Sequence, residues 1–78
     1  MSVEVHFPEL SKNNPGAEGV LTTWFVDDDV YVKPGELIAE VQLDKVAADV
    51  EAPAAGILRH LVNELDVVRQ CGTIARID

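Results

Sequence analysis

The sequence predicts an all-β fold, and three observations predict it. Apolar residues recur at every second position, the spacing of a half-buried strand rather than of a helix. The alternating runs are short, and each is bounded by turn-forming residues. The chain also repeats itself, so one set of strands is used twice.

Along the chain, "VEVHF" (3–7) alternates, as do Tyr31 to Lys33, Ile38 to Gln42, Ala48 to Val50 and "TIARI" (73–77). Between these runs lie "NNPGAEG" (13–19), "DDD" (27–29), "KPGE" (33–36) and "PAAG" (53–56). Their Gly, Pro, Asn and Asp accept or preset turn geometry. A short helix is compatible with 61–66, although no segment carries a sustained helical stripe.

The repeat aligns Gly19-Val20-Leu21 with Gly56-Ile57-Leu58, a shift of 37 that sets Trp24 on Leu61 and Phe25 on Val62. Dropping one residue in the acidic turn makes the shift 36. Val32 then matches Val68, Ile38 matches Ile74, Ala39 matches Ala75 and Val41 matches Ile77. Two sheets related by a pseudo-twofold axis, each half contributing to both, accommodate this pattern. Val5-His6-Phe7-Pro8 likewise resembles Val50-Glu51-Ala52-Pro53. Eleven steps separate Pro8 from Gly19 but only three separate Pro53 from Gly56, so residues 9–18 are an insertion in the first half. The insertion is expected as a surface loop near Lys45 that the fold does not require. Lys45 itself is expected at the opposite end of the sandwich from Asp78.

Residues 1–78 are read as one domain with a thin core. Apolar content of 47% is that of a globular protein. A net charge of -8 argues against nucleic acid, whose phosphates would repel the surface, and favours partners with basic patches. The single cysteine, Cys71, allows no internal disulfide and suggests a reducing compartment. No apolar run reaches the roughly 18–20 residues that span a membrane. "MSVEVHFPEL" lacks the charged and apolar regions of a secretory signal.

One basic residue stands apart. Leu43-Asp44-Lys45-Val46 joins two strand patterns and reads as a hairpin turn, with Asp44 favoured because its carboxylate accepts local backbone N–H bonds. Most turn lysines only solubilise. An ordered tip far from the termini is also a place to present an amine for attachment, and an amide there would remove the charge and append a long arm.

Here "GELIAEVQLDKVAADVEAPAAGILRHLV" resembles the lipoyl domains of 2-oxo acid dehydrogenase complexes. In that family an "ExDKA/V" turn carries the lysine that receives lipoic acid, and a "V-x-AP-x-x-G-x-L" segment follows. The resemblance runs from Val3 to Asp78 and includes "FPEL" (7–10) and Trp24. Biotinyl domains have methionines on both sides of their lysine, whereas Lys45 lies between Asp44 and Val46. The resemblance implies a flattened β-barrel, or sandwich, of two four-stranded antiparallel sheets with quasi-twofold symmetry. It implies lipoic acid on Lys45, with Asp44 and Val46 as flanking recognition residues. It also implies a non-catalytic swinging-arm carrier of acyl groups and electrons, as part of a dihydrolipoamide acyltransferase. The partners implied are a lipoate ligase or lipoyl transferase, a thiamine-dependent decarboxylase, an acyltransferase core and dihydrolipoamide dehydrogenase. The implied setting is bacterial cytoplasm or mitochondrial matrix. A biotinyl carrier of a carboxylase and an unmodified β-domain adaptor are the competing readings.

The sequence departs from the family pattern in three turns. The usual Gly-Asp turn appears as Asp29-Val30 and as Leu65-Asp66, and Cys71 stands where glycine is common. Side chains at positions needing φ > 0 imply strain. The other candidates are bland. Asp27 to Asp29 read as a solvated turn, and His6 and His60 as surface or strand residues without metal-site spacing. Cys71 reads as small and semi-buried with no activating base, and Trp24 and Phe25 as core or half-core.

Overall fold

The computed structural model describes residues 2–78, and it is all-β. In chain order the strands are β1 (Val3–His6), β2 (Glu18–Trp24), β3 (Tyr31–Val32) and β4 (Leu37–Leu43), then β5 (Val46–Glu51), β6 (Gly56–His60), β7 (Val67–Arg69) and β8 (Thr73–Ile77). They form two four-stranded antiparallel sheets, ordered β1-β8-β6-β3 and β5-β4-β2-β7.

The repeat is visible in this order. Replacing each strand of the first sheet by its counterpart in the other half (β1 by β5, β8 by β4, β6 by β2, β3 by β7) reproduces the second sheet. The repeat partners Leu21 and Leu58, and Ile38 and Ile74, are fully buried in the core. Burying such a side chain contributes about 2 kcal/mol. The aligned glycines share a reason as well. A Cβ on Gly19 would lie 2.5 Å from the carbonyl oxygen of Gln42, and one on Gly56 would strike the carbonyl oxygen of Asp78. Gln42 and Asp78 are repeat partners, so each half passes its backbone against the other half at the same point.

The alignment needs one correction. Leu21 pairs with Val41, then Thr23 with Glu40 and Trp24 with Ala39, so Thr22 is an extra residue bulged out of β2. In the other half Leu58 pairs with Ile77, Arg59 with Arg76 and His60 with Ala75, without interruption. The shift therefore falls from 37 to 36 at Thr22, not in the acidic turn. Trp24 matches His60 rather than Leu61, and Phe25 matches Leu61 rather than Val62. A bulge adds a residue without breaking the alternation on either side, which hides it in the pattern.

Residues 61–66 are not helical. Leu65 has φ +70°, and the Asp66 carboxylate accepts the Asn63 N–H at 2.8 Å while the Asp66 N–H returns to the Asn63 carbonyl at 3.1 Å. That closed turn supersedes a helix.

Candidate functional site

Lys45 is the second residue of a two-residue turn between β4 and β5. Leu43 pairs with Val46 beneath it, and after one register shift between Leu37 and Ala39 the pairing runs unbroken from Ala39–Val50 to Leu43–Val46. Asp44 takes φ +55° and Lys45 does not adopt a positive φ. Positive φ at the first central residue is what the favoured two-residue hairpin turns require. Asp tolerates the left-handed region better than most side chains. The Gln42 side-chain amide donates to the Asp44 carbonyl at 3.1 Å and closes the turn from the outer face.

Below the turn, Leu43 is 2% exposed and belongs to the core cluster. Above it, Asp44, Lys45 and Val46 are all exposed, Val46 at 47%. The ion pairs of the described residues use His6, Arg59 and Arg76, and Lys45 is in none of them. An anchored turn thus carries an amine with no carboxylate to release.

The surroundings of the turn follow from register. Val20 faces Gln42, and Glu18 faces Arg69, so the start of β2, the end of β4 and the end of β7 share one end of the second sheet. The expected insertion, residues 9–18, runs into β2 at that end, with its last residue, Glu18, already the first of the strand. At the other end Asp78 exchanges backbone hydrogen bonds with Ile57, 2.9 Å each way. Phe7 bonds Cys71 and Gly72 at the start of β8 and lies against Gly19 at the Lys45 end, so Asp78, past the other end of β8, lies away from Lys45.

The remaining candidates lie elsewhere. Asp27, Asp28 and Asp29 are exposed; Asp28 accepts the His60 N–H at 2.8 Å and Asp29 pairs with Arg59. His6 is exposed on β1 and bonds Glu4 at 2.9 Å. Bonds from His6 first, then Thr73, hold the Glu4 carboxyl below the usual glutamate range. His60 is half-buried, and its Nε2 meets the Val26 carbonyl at 2.9 Å. Cys71 is exposed, not semi-buried, because φ +67° turns its side chain outward at the tip of the β7–β8 turn. Phe25 is 51% exposed and stays outside the core, since it follows the end of β2, whereas Trp24 packs on the core. Sequence reasoning missed Gln70, the buried polar residue beside this end; no periodic signal marks it.

The family model described as Biotin-requiring enzyme (Biotin_lipoyl) matches residues 3–77. The chain is 37% identical over 62 residues to the dihydrolipoyllysine-residue acetyltransferase component of the pyruvate dehydrogenase complex of Zymomonas mobilis, covering 80% of this chain and 14% of that one. It is 36% identical over 77 residues to the dihydrolipoyllysine-residue succinyltransferase component of the 2-oxoglutarate dehydrogenase complex of Cupriavidus necator, covering 97% of this chain and 18% of that one. The chain thus spans less than a fifth of the length of these curated relatives. Among solved structures, it is similar to the lipoyl domain of the 2-oxoglutarate dehydrogenase complex of Azotobacter vinelandii, with a TM-score of 0.71 and 29% identity, covering 100% of this chain and 95% of that one. Two symmetric four-stranded sheets, a lysine at a hairpin tip and these likenesses agree: the chain belongs to the biotinyl/lipoyl attachment family, as a lipoyl-type domain.

Proposed function

We propose that residues 1–78 act as one non-catalytic lipoyl carrier domain of a 2-oxo acid dehydrogenase-type complex, with the lipoyl group in amide linkage to Lys45. One observation carries the reading: the exposed, unpaired ammonium at the tip of an otherwise pinned hairpin. An amine free of a carboxylate partner is acylated without breaking an ion pair. Asp44 sets the turn and Val46 presents an apolar flank, so both are recognition residues for the lipoate ligase or lipoyl transferase.

Bound there, the lipoyl group supplies a dithiolane that takes up an acyl group with two electrons and gives them up elsewhere. The chain's own part is to anchor and present. Leu43 fixes the root of the hairpin in the core, and the turn leaves Lys45 exposed at its tip. A tethered group meets each active site at roughly millimolar effective concentration. The relatives named above are acyltransferase components, so the partners in this reading are a thiamine-dependent decarboxylase, an acyltransferase core and dihydrolipoamide dehydrogenase. The setting is bacterial cytoplasm, or mitochondrial matrix as for a relative from Schizosaccharomyces pombe described as mitochondrial.

The residues beside Lys45 separate this reading from a biotinyl carrier, since neither Asp44 nor Val46 is a methionine. Intact mass after expression with both a lipoate ligase and a biotin ligase tests it. A single lipoyl adduct mapping to the Lys45 peptide is expected. A biotinyl adduct, no adduct, or an adduct on Lys12 or Lys33 overturns it.

A further inference from the structure

The outer face of the second sheet carries an apolar row, and register ties that row to the Lys45 turn. Val20 faces Val67 on one side and Gln42 on the other. The neighbours of Val20 in β2, Gly19 and Leu21, are buried, so strand alternation turns Val20 outward. Val68 is buried in the same way and leaves Val67 65% exposed. The polar end of Gln42 reaches back to the turn, where it donates to the Asp44 carbonyl at 3.1 Å. Charged pairs border the row on both sides: Glu18 faces Arg69 toward the tip, and Glu40 faces Asp49 away from it.

Two valines give a free partner little to hold. A tethered chain needs little, because its local concentration is already high. The size of the row therefore selects a group anchored beside it. Two strand spacings, about 10 Å, separate β4 from Val67, and a lysyl side chain extended by the acyl chain of a lipoyl group crosses that distance. Amide linkage also removes the Lys45 charge, which otherwise favours water over an apolar surface.

The internal repeat supplies a comparison. The partners of Val67 and Val20 are Tyr31 and Ile57, which face each other in the first sheet. That row runs on to Asp78, whose backbone bonds Ile57 and whose carboxylate is held by Arg59 and Arg76 at 3.1 Å each. It lies away from Lys45, so the fold offers the same row twice, and one of the two is within reach of the arm.

Resting on the carrier reading above, we propose that Val20 and Val67 form a resting platform for the arm, on which the acyl chain attached to Lys45 folds back over the outer face of the second sheet. The folded-back arm exchanges with an extended one, and a partner enzyme takes the extended fraction. Between visits the domain shelters its own dithiolane.

The test uses methyl-detected NMR on the native domain and on the double variant Val20→Thr, Val67→Thr. Threonine keeps the β-branched shape and strand preference but puts a hydroxyl on the row; circular dichroism checks the fold, and either single variant serves if the double variant does not fold. Before lipoylation, the Val20 and Val67 methyl shifts are expected to be independent of protein concentration. Shifts that move with concentration assign the row to a second copy of the chain and overturn the proposal. After lipoylation, nuclear Overhauser cross-peaks are expected from the arm's methylene protons to the Val20 and Val67 methyls and not to those of Ile57, and they are expected to be lost in the threonine variant. Absent cross-peaks, equal cross-peaks to Ile57, or cross-peaks from the arm to the row that survive both substitutions overturn it. A native domain that gains no lipoyl mass ends the carrier reading and the platform together, whereas a lipoylated domain without cross-peaks ends the platform alone.

Discussion

Trp24 and His60 stack with ring centroids 3.8 Å apart and planes 9° from parallel, and each is the other's partner under the internal repeat. Their bonds are reciprocal. The Trp24 indole N–H donates to the Val62 carbonyl at 3.1 Å, and His60 Nε2 meets the Val26 carbonyl at 2.9 Å. Their backbone N–H groups go to Glu64 and Asp28, both at 2.8 Å. Val26 and Val62, and Asp28 and Glu64, are partners by the same shift of 36. The stack therefore lies across the pseudo-twofold axis and joins the two halves.

Removing either ring should cost more than its own packing. In a double-mutant cycle with Trp24→Leu and His60→Leu, the two rings should couple by about 1 kcal/mol, the size of a stacked aromatic pair. Urea unfolding of the four proteins measures it. Additive losses would mean that the rings merely lie side by side.

The turn that carries the amine should matter as much as the amine. Exchanging Asp44 and Lys45 keeps composition and charge but places lysine at φ +55°, a conformation aspartate accepts more readily. Lipoylation should fall by on the order of a hundredfold, as expected when a reacting atom is displaced by an ångström or more. Ligase kinetics on the two proteins decide it; equal rates would show that the ligase needs only an exposed lysine.

Cys71 and Gly35 occupy equivalent turns, with φ +67° and +82°, and only one of them is glycine. Cys71→Gly should stabilise the domain by about 1 kcal/mol by relieving left-handed strain, and Gly35→Ala should destabilise it by a similar amount. A Cβ on Gly35 meets no atom within 4 Å, so the loss would report backbone conformation alone. Thermal unfolding reads both, and no gain for Cys71→Gly would mean that the turn relaxes around its cysteine.

Shortening the insertion should not be neutral, although its place in the repeat suggests that it would be. Loop length alone costs only about 0.6 kcal/mol per doubling. Deleting Lys12 to Asn14, however, removes the Asn14 carbonyl that Gln70 and Ala17 both use. The deletion should destabilise the fold by about 1–3 kcal/mol, as expected for an unsatisfied buried donor. Denaturation followed by circular dichroism is the check, with a loss under about 0.5 kcal/mol counting against a role for those bonds. Lipoylation of the folded fraction should persist, while acylation by the decarboxylase should fall.

What the sequence made legible was whatever repeats with a period. The strands, the pairing of halves and the Lys45 hairpin follow from alternation and turn residues. The Thr22 bulge was hidden because an extra residue leaves the alternation on both sides intact. Gln70 was hidden because one polar residue in a turn carries no period, and its burial depends on a loop sixty residues away in sequence. The Trp24–His60 stack required the corrected shift, one residue from the apparent one. Residues 61–66 looked able to form a helix because composition does not reveal that Leu65 turns left-handed.

The pairing of β1 with β8 has a kinetic consequence. Val3 lies opposite Ile77 and Val5 opposite Ala75, so the first strand has no partner until the last is made. During synthesis β1 emerges early and waits, whereas β4 and β5 can close their hairpin at once across two residues. The Lys45 turn is therefore the local, fast part of folding, and closure of the first sheet is the slow, long-range part. A ribosome-bound chain would show its Lys45 hairpin before it had a completed body to mount it on.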